Sequence, residues 1–328
     1  MLKKEDLFDY LKGSQICALP QSAAQMIELS KDPGNGPQEY AKPIAADLGL
    51  STQVLRFVNS SFFGFRYKIT SIPMALSLAS VRTVRNFVLW NGLFAVLPNP
   101  RCGPFSTKKL FSDALRRAVF ARIITERYTK LDSDEAFICA LLQDMAIPIL
   151  ARNWGNEYAE MIQKADTMQV RLSTLERDLM GWDHSEAGAI LSLGWGLGDL
   201  VSNAVLTHAD ALFQNDRANK SPTTAEITAL SALLPKATDT CWFEITAFIN
   251  GFSLVFGKHL CDLAEIFRTT DEKCERLTGL VNLGPPRQLL SDYWQKALGD
   301  FAKLETTDTA RLEEMLEQYF SQMCRMAQ

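Results

Sequence analysis

The sequence predicts an all-α fold, and three observations carry that prediction. Apolar residues recur at helical spacing through nearly every ordered-looking segment. No pair of alternating runs is joined by a hairpin turn. Helix-start signals punctuate the chain at Asp132-x-x-Glu135, Ser173-x-x-Glu176 and Asp183-x-x-Glu186.

Taken in order, Pro20 opens a first helix at a position where its missing N–H costs nothing. Ala24, Met26 and Ile27 line its face until Asp32-Pro33 stops it. Residues 37–46 form a second, expected to bend or break at Pro43 because proline removes an internal hydrogen bond. Ser51 is expected to cap a third, with Val54, Leu55 and Val58 inward. After the 60–70 loop come short and long apolar helices over 72–79 and 81–97, then the linker Pro98-Asn-Pro-Arg-Cys-Gly-Pro104. A helix over 106–129 sets Leu110, Ala114, Leu115, Ala118 and Ala121 inward. The next starts at Asp132, faces Phe137, Ala140, Leu141 and Met145 to the core, and is kinked in its last turn by Pro148. Helices follow near 174–180, ended by Gly181, and near 184–193 and 200–208. Residues 210–222 are polar and read as a loop. Further helices are predicted near 223–238, 241–265, 270–281, 286–300 and 308–326.

With 328 residues, 47% of them hydrophobic and 22% charged, the chain can bury a sizeable core and is neither disordered nor fibrous in composition. A net charge of −4 argues against nucleic acid as a partner. The longest apolar run, 87–98, is interrupted by Asn91-Gly92 and too short to span a bilayer, and the charged start lacks a signal peptide's apolar stretch. Seven cysteines, at 17, 102, 139, 241, 261, 274 and 324, show no CxxC spacing and read as reduced thiols. Together these predict a cytoplasmic protein with no membrane partner.

Candidate chemistry is sparse, for there is no Gly-rich phosphate loop, no GxSxG elbow and no HExxH helix. Of the three histidines, His184 follows its Asp183 cap in a first helical turn, where the dipole favours a neutral ring. His208 lies on a face expected to be buried, and His259 on ordinary helix surface. Asp144 stands out as a carboxylate in the apolar stretch Ala140-Leu-Leu-Gln-Asp-Met-Ala-Ile. It is either hydrogen-bonded to backbone or a histidine, in which case Asp144→Asn costs little, or it ligates a metal. Arg82, Arg85, Lys108, Lys109, Arg116, Arg117, Arg122 and Arg127 read mostly as solvated helix surface, loosely a docking patch for an acidic partner. Phe62, Phe63 and Phe65 are either a tucked loop or an interaction loop. Asn59, just past an apolar helix, is expected to cap local backbone, worth about 1 kcal/mol.

Four motifs carry a resemblance. Leu50-Ser-Thr-Gln-Val-Leu-Arg-Phe-Val-Asn59-Ser60-Ser-Phe-Phe-Gly64 resembles the signature of the HDOD family, the HD-related output domains of bacterial signalling proteins. Leu19-Pro20 with Asp32-Pro33 is similar to that family's opening. Ser71-Ile-Pro-Met-Ala-Leu-Ser-Leu-Ala-Ser80 is similar to its next step, with Ser80 where glycine is usual. Glu176-Arg177, Gly181-Trp-Asp-His184-Ser-Glu-Ala-Gly188 and Trp195 resemble its last.

The resemblance implies an HD-domain-like helical core. It divides the chain into a lead-in (1–14), an HDOD domain (15–240, with a helical subdomain over 15–100 and the core over 105–240) and a helical C-terminal extension (241–328). The parent HD phosphohydrolases hold divalent metals with histidines and aspartates. By resemblance those positions are here Asp113, Gln143 and Asp144 (the His-Asp pair), His184, His208 and a closing Asp239. Two imidazoles are missing. The resemblance therefore implies a degenerate site without cofactor, in a non-catalytic regulatory module that binds signalling proteins, with a nucleotide as a further candidate ligand. The alternative is a phosphohydrolase or phosphodiesterase acting on nucleotides or cyclic dinucleotides with Mg, Mn or Fe.

Overall fold

The computed structural model describes Leu7 and residues 18–60, 63–100, 102–103, 105–210, 221–236, 239–257, 260–278, 283 and 288–305. Among the described residues every regular element is helical. The N-terminal part comprises α1 (Gln21–Ser30), α2 (Pro37–Ala45), α3 (Leu48–Val58), α4 (Ile72–Leu78) and α5 (Val81–Val96). Their apolar faces close on Met26, Ile44, Val54, Leu76 and Val84, with Phe57 and Phe87 stacked at 4.2 Å. Pro43 neither breaks nor ends α2, which runs two residues past it. The α3 cap is Asp47, whose carboxylate accepts the Leu50 N–H at 3.0 Å. Ser51 lies inside the helix and donates back to the Ile44 carbonyl, so the aspartate four residues earlier takes the role expected of it.

The central helix α6 (Thr107–Tyr128) packs on α7 (Ser133–Leu142), α13 (Thr224–Ala232) and α15 (Leu263–Thr278). Asp132 caps α7 by accepting from Asp134 and Glu135 N–H. Pro148 does not kink the end of α7. The helix stops at Leu142, residues 143–146 turn, and Pro148 sits in the first turn of α8 (Ile147–Trp154), where its lack of an N–H is harmless. A helix the periodicity does not predict, α9 (Asn156–Met168), follows directly, and then α10 (Leu172–Met180), α11 (His184–Gly194) and α12 (Asp199–Thr207). Gly181 ends α10 at φ +80°, and Asp183 caps α11 through Ser185 and Glu186 N–H, both as the pattern predicts. Ser173 caps nothing: it lies inside α10, which begins one residue before it.

The extension contributes α14 (Ile245–Phe256), a 3-10 turn (Leu260–Asp262), α15 and α16 (Leu290–Glu305). Phe248 and Phe267 lie against Phe120 of α6, at 5.7 and 6.0 Å between ring centroids. Arg116 of α6 is 2% exposed and donates to the Pro235 and Gln288 carbonyls. No helix among the described residues is long and apolar enough to cross a membrane. His259, Phe62, most of the 210–222 loop and the 308–326 helix lie outside the described residues.

Candidate functional site

Four elements converge on Asp144. The 143–146 turn projects it from the break between α7 and α8. Arg117 of α6 places a guanidinium Nη1 directly on Asp144 Oδ2. His184, first residue of α11, brings Nε2 to 3.5 Å from Oδ1, and His208, at the end of α12, brings its Nε2 to 3.3 Å. Behind His184, Glu176 of α10 accepts from the His184 backbone N–H at 3.0 Å and lies 2.5 Å from Nδ1. Tyr158 of α9 donates its hydroxyl to the other Glu176 oxygen. His208 Nδ1 donates to the Val205 carbonyl at 2.6 Å, so Nδ1 carries the hydrogen. A buried chain therefore runs Tyr158–Glu176–His184–Asp144–Arg117.

Its charges alternate, and that alternation sets its titration. Burial alone would push Asp144 up, but Arg117, with help from His184 and His208, holds it well below the ordinary carboxylate range. Burial would likewise discharge His184. The Glu176 and Asp144 carboxylates outweigh it and raise the imidazole to about 10, so the ring is an imidazolium at neutral pH. The expectation of a neutral ring fails because two carboxylates within reach outweigh a helix dipole worth at most about 2 kcal/mol.

The other predicted positions divide. Asp113 lies one turn before Arg117 on the same face of α6 and lines the adjoining cavity. Gln143 is fully buried, and neither its amide oxygen nor its nitrogen has a hydrogen-bond partner among the described residues. Asp239 stands outside both the cavity lining and the Asp144 cluster. Its carboxylate accepts the Lys236 N–H at 2.7 Å, and burial raises it to about 6. Gly188 lets α11 approach α12: a Cβ there would come within 2.8 Å of Val205 Cγ1. Gly64 turns at φ +63°, the Ser60 hydroxyl is buried without a partner among the described residues, and Trp195 ends α11, half-buried against the core. Glu176, fully buried, is a member of the charged chain; rather than capping the start of α10 it takes the first backbone N–H of α11.

Sequence reasoning misses Arg117 altogether and reads it as solvated. Arg116 and Arg117 are instead 2% and 6% exposed. The signal for Arg117 was present: Leu110, Ala114, Arg117 and Ala121 follow spacings of four, three and four, so Arg117 belongs to the apolar stripe. Several of the other basic residues pair locally. Arg82 binds Asp132, Arg122 binds Glu126 and Asp134, and Arg127 binds Asp262 and Glu265.

Over this network opens a cavity of about 320 Å³. Arg117, Asp144, His184 and His208 contribute to its lining, together with apolar surface from Phe105, Leu110, Ile162, Leu172 and Phe243. Two ion pairs among its lining residues join facing elements, Arg171 with Glu244 and Lys236 with Asp166 at 2.9 Å.

A model of the HDOD domain matches residues 16–211. An uncharacterized protein of Treponema pallidum (strain Nichols) is 25% identical over 211 residues, which are 60% of this chain, and the match spans only 38% of that protein. Three solved structures share the fold. An HDOD domain protein of unknown function from Geobacter sulfurreducens aligns with TM-score 0.61 at 19% identity, over 81% of this chain and 96% of that one. A protein of Marinobacter aquaeolei VT8, provisionally named for signal transduction, aligns with 0.62 at 16%, over 85% and 65%. One of Shewanella amazonensis SB2B, provisionally named a phosphohydrolase, aligns with 0.60 at 19%, over 83% and 97%. The family match covers more than half of the chain and contains Asn59, Glu176, His184 and His208, the residues on which the site and its supporting loop are built: this chain belongs to the HDOD domain family.

Proposed function

We propose that this chain is a non-catalytic regulatory module of HDOD type, which works by binding a protein partner and seats a small ligand in the cavity over Asp144. One observation carries the non-catalytic reading: a guanidinium already sits on the carboxylate that a hydrolytic metal would need. Asp144, His184 and His208 do offer one ligand atom each within 4.8 Å of one another, which is what favours the metal-dependent phosphohydrolase as a second reading. The charges oppose it. A divalent ion there would face Arg117 on one side and would have to displace the proton that His184 holds between two carboxylates. Gln143 supplies an amide where an imidazole would be the stronger donor. This donor set does not fit a divalent ion.

Elemental analysis of the purified chain after incubation with Mg, Mn and Fe salts is expected to find no stoichiometric metal, and bis(p-nitrophenyl) phosphate is expected to remain intact. A bound ion together with turnover lost in Asp144→Ala would establish the hydrolase instead. The double variant Arg117→Met/Gln143→His, which removes the resident cation and restores an imidazole, is expected to retain metal where the parent chain does not. The cavity is at the small end of the range for small-molecule sites, about 300–1,000 Å³. Titration calorimetry with AMP and GMP tests the nucleotide reading, and Arg117→Met is expected to abolish the phosphate-dependent heat.

A further inference from the structure

The charge of this chain is segregated. Between Asp47 and Asp113 there is no Asp or Glu in 65 consecutive residues, which carry eight of the 34 basic side chains. The rest of the chain is left with 26 basic residues against 38 acidic ones. Arg82 is consumed by Asp132, Arg85 is half-buried beside Asn86, and Lys109 lines the cavity. Arg56, Arg66, Lys68 and Lys108 are exposed, with no acidic partner among the described residues.

Three of those four belong to α3 and the loop after it, and that loop is held. Asn59 at the end of α3 donates to the Leu55 carbonyl at 2.8 Å, donates to the Ile69 carbonyl at 2.7 Å and accepts the Ile69 N–H at 2.7 Å. One amide thus pins together two points ten residues apart. Phe63 packs edge-on against Phe57 at 5.0 Å and stacks with Phe65 at 5.5 Å, which fixes the near side of the loop. Beyond these anchors the tip reads Phe65-Arg66-Tyr67-Lys68, with Phe65 36% and Tyr67 82% exposed. The fold therefore anchors a loop whose tip alternates aromatic and cationic side chains in water. Such a tip binds without first losing the backbone entropy of a free loop.

We propose that the Phe65–Lys68 tip, with Arg56 on the helix leading into it, is the docking surface for an acidic segment of a partner protein. Charge complementarity sets the sign of the partner. Arginine and tyrosine are the side chains that most often dominate protein–protein contacts, and the alternating tip presents both. A long polyanion such as single-stranded nucleic acid fits less well, because beyond a few contacts it meets the remainder of the chain, which has an acidic excess of twelve. The inference shares with the function proposed above only the need for a protein partner; metal retention and turnover test that reading without touching this loop.

The test uses the full chain, fluorescent poly-L-glutamate, an oligothymidylate of equal charge, and phosphatidylserine vesicles. Poly-L-glutamate is expected to bind saturably at low salt and to be released by high salt. Arg66→Glu/Lys68→Glu is expected to weaken that binding by at least about tenfold, and Tyr67→Ala by about fivefold. Lys42→Glu/Lys130→Glu makes the same change in net charge at exposed sites elsewhere and is expected to stay within about twofold of the parent. Unchanged thermal melts verify folding of all three variants. No saturable binding, an equal loss in the control pair, or tighter binding of oligothymidylate or vesicles overturns the proposal. So does a parent-chain dimer that Arg66→Glu/Lys68→Glu dissolves, since the occupant would then be a second copy.

Discussion

Asp144 and His184 are neighbours in a buried chain of alternating charges, so single substitutions act by what they leave behind. Asp144→Asn keeps the shape and the hydrogen-bonding capacity but strands the Arg117 guanidinium, which is 6% exposed. It is expected to cost about 3–5 kcal/mol in urea denaturation, close to Asp144→Leu, and not the small loss a plain hydrogen-bonding role implied. His184 supplies the pH dependence. Its ordinary value of 6.5 is raised to about 10 in the fold, so its contribution is fully present below about 6.5 and is lost as the pH rises through about 10. Chemical denaturation across that window is expected to show the parent losing stability relative to Glu176→Gln, which removes the larger of the two carboxylate contributions holding the proton. A parent and variant that decline in parallel would remove Glu176 from that role. Asp144, His184 and His208 were legible as candidates because an apolar context makes any titratable residue conspicuous. Arg117 was not, because adjacent basic residues on a helix ordinarily face water, and only the four-three-four spacing with Leu110, Ala114 and Ala121 betrays it.

At the scale of elements, capping patterns were readable where one side chain decides the geometry and unreadable where two interpretations share a motif. Asp183-x-x-Glu186 and Gly181 act as their patterns require, since a carboxylate before a first turn and a glycine at positive φ each answer a local backbone need. Ser173-x-x-Glu176 has the same form, yet its glutamate is drawn inward by His184 and Tyr158, a tertiary demand that no window of ten residues contains. The α7–α8 break was hidden for the same reason: Pro148 marks a boundary, but whether it kinks one helix or starts another depends on how residues 143–146 pack. Ser80 shows a local conflict that can be tested. It caps α5, accepting the Thr83 N–H at 3.1 Å, with φ +73° and ψ 147°, a region that serine enters at a cost and glycine does not. Loss of the cap to glycine costs only a few tenths of a kcal/mol, so the strain term wins. Ser80→Gly is therefore expected to stabilise the chain by about 1 kcal/mol, read as a higher denaturation midpoint at unchanged slope.

For the whole molecule, the boundary drawn at residue 240 from the resemblance meets a core that runs straight across it. The family match ends at residue 211, and the N-terminal helices with α6–α12 make a recognisable unit. Yet α6, the helix carrying Asp113 and Arg117, has its other side covered by α15, and Phe120 is fully buried against Phe248 and Phe267. Arg116 reaches past the boundary to the Gln288 carbonyl at 2.6 Å, and Tyr293 of α16 donates to the Asp239 carbonyl at 2.7 Å. Glu244, just beyond residue 240, pairs with Arg171 at the edge of the cavity. The extension is thus part of what holds the site. Removing it uncovers Phe120 and leaves the Arg116 guanidinium without its contact at residue 288; each bare aromatic forfeits about 3 kcal/mol of burial, against a total stability of about 5–15 kcal/mol. A chain cut after residue 240 is expected to keep its far-ultraviolet helical signal, lose its near-ultraviolet tryptophan signal and bind a hydrophobic dye, the behaviour of a core that has collapsed without packing. A cut chain that instead melts cooperatively as a monomer would make the extension dispensable, and the core around α6 would then have to be complete without Phe248 and Phe267.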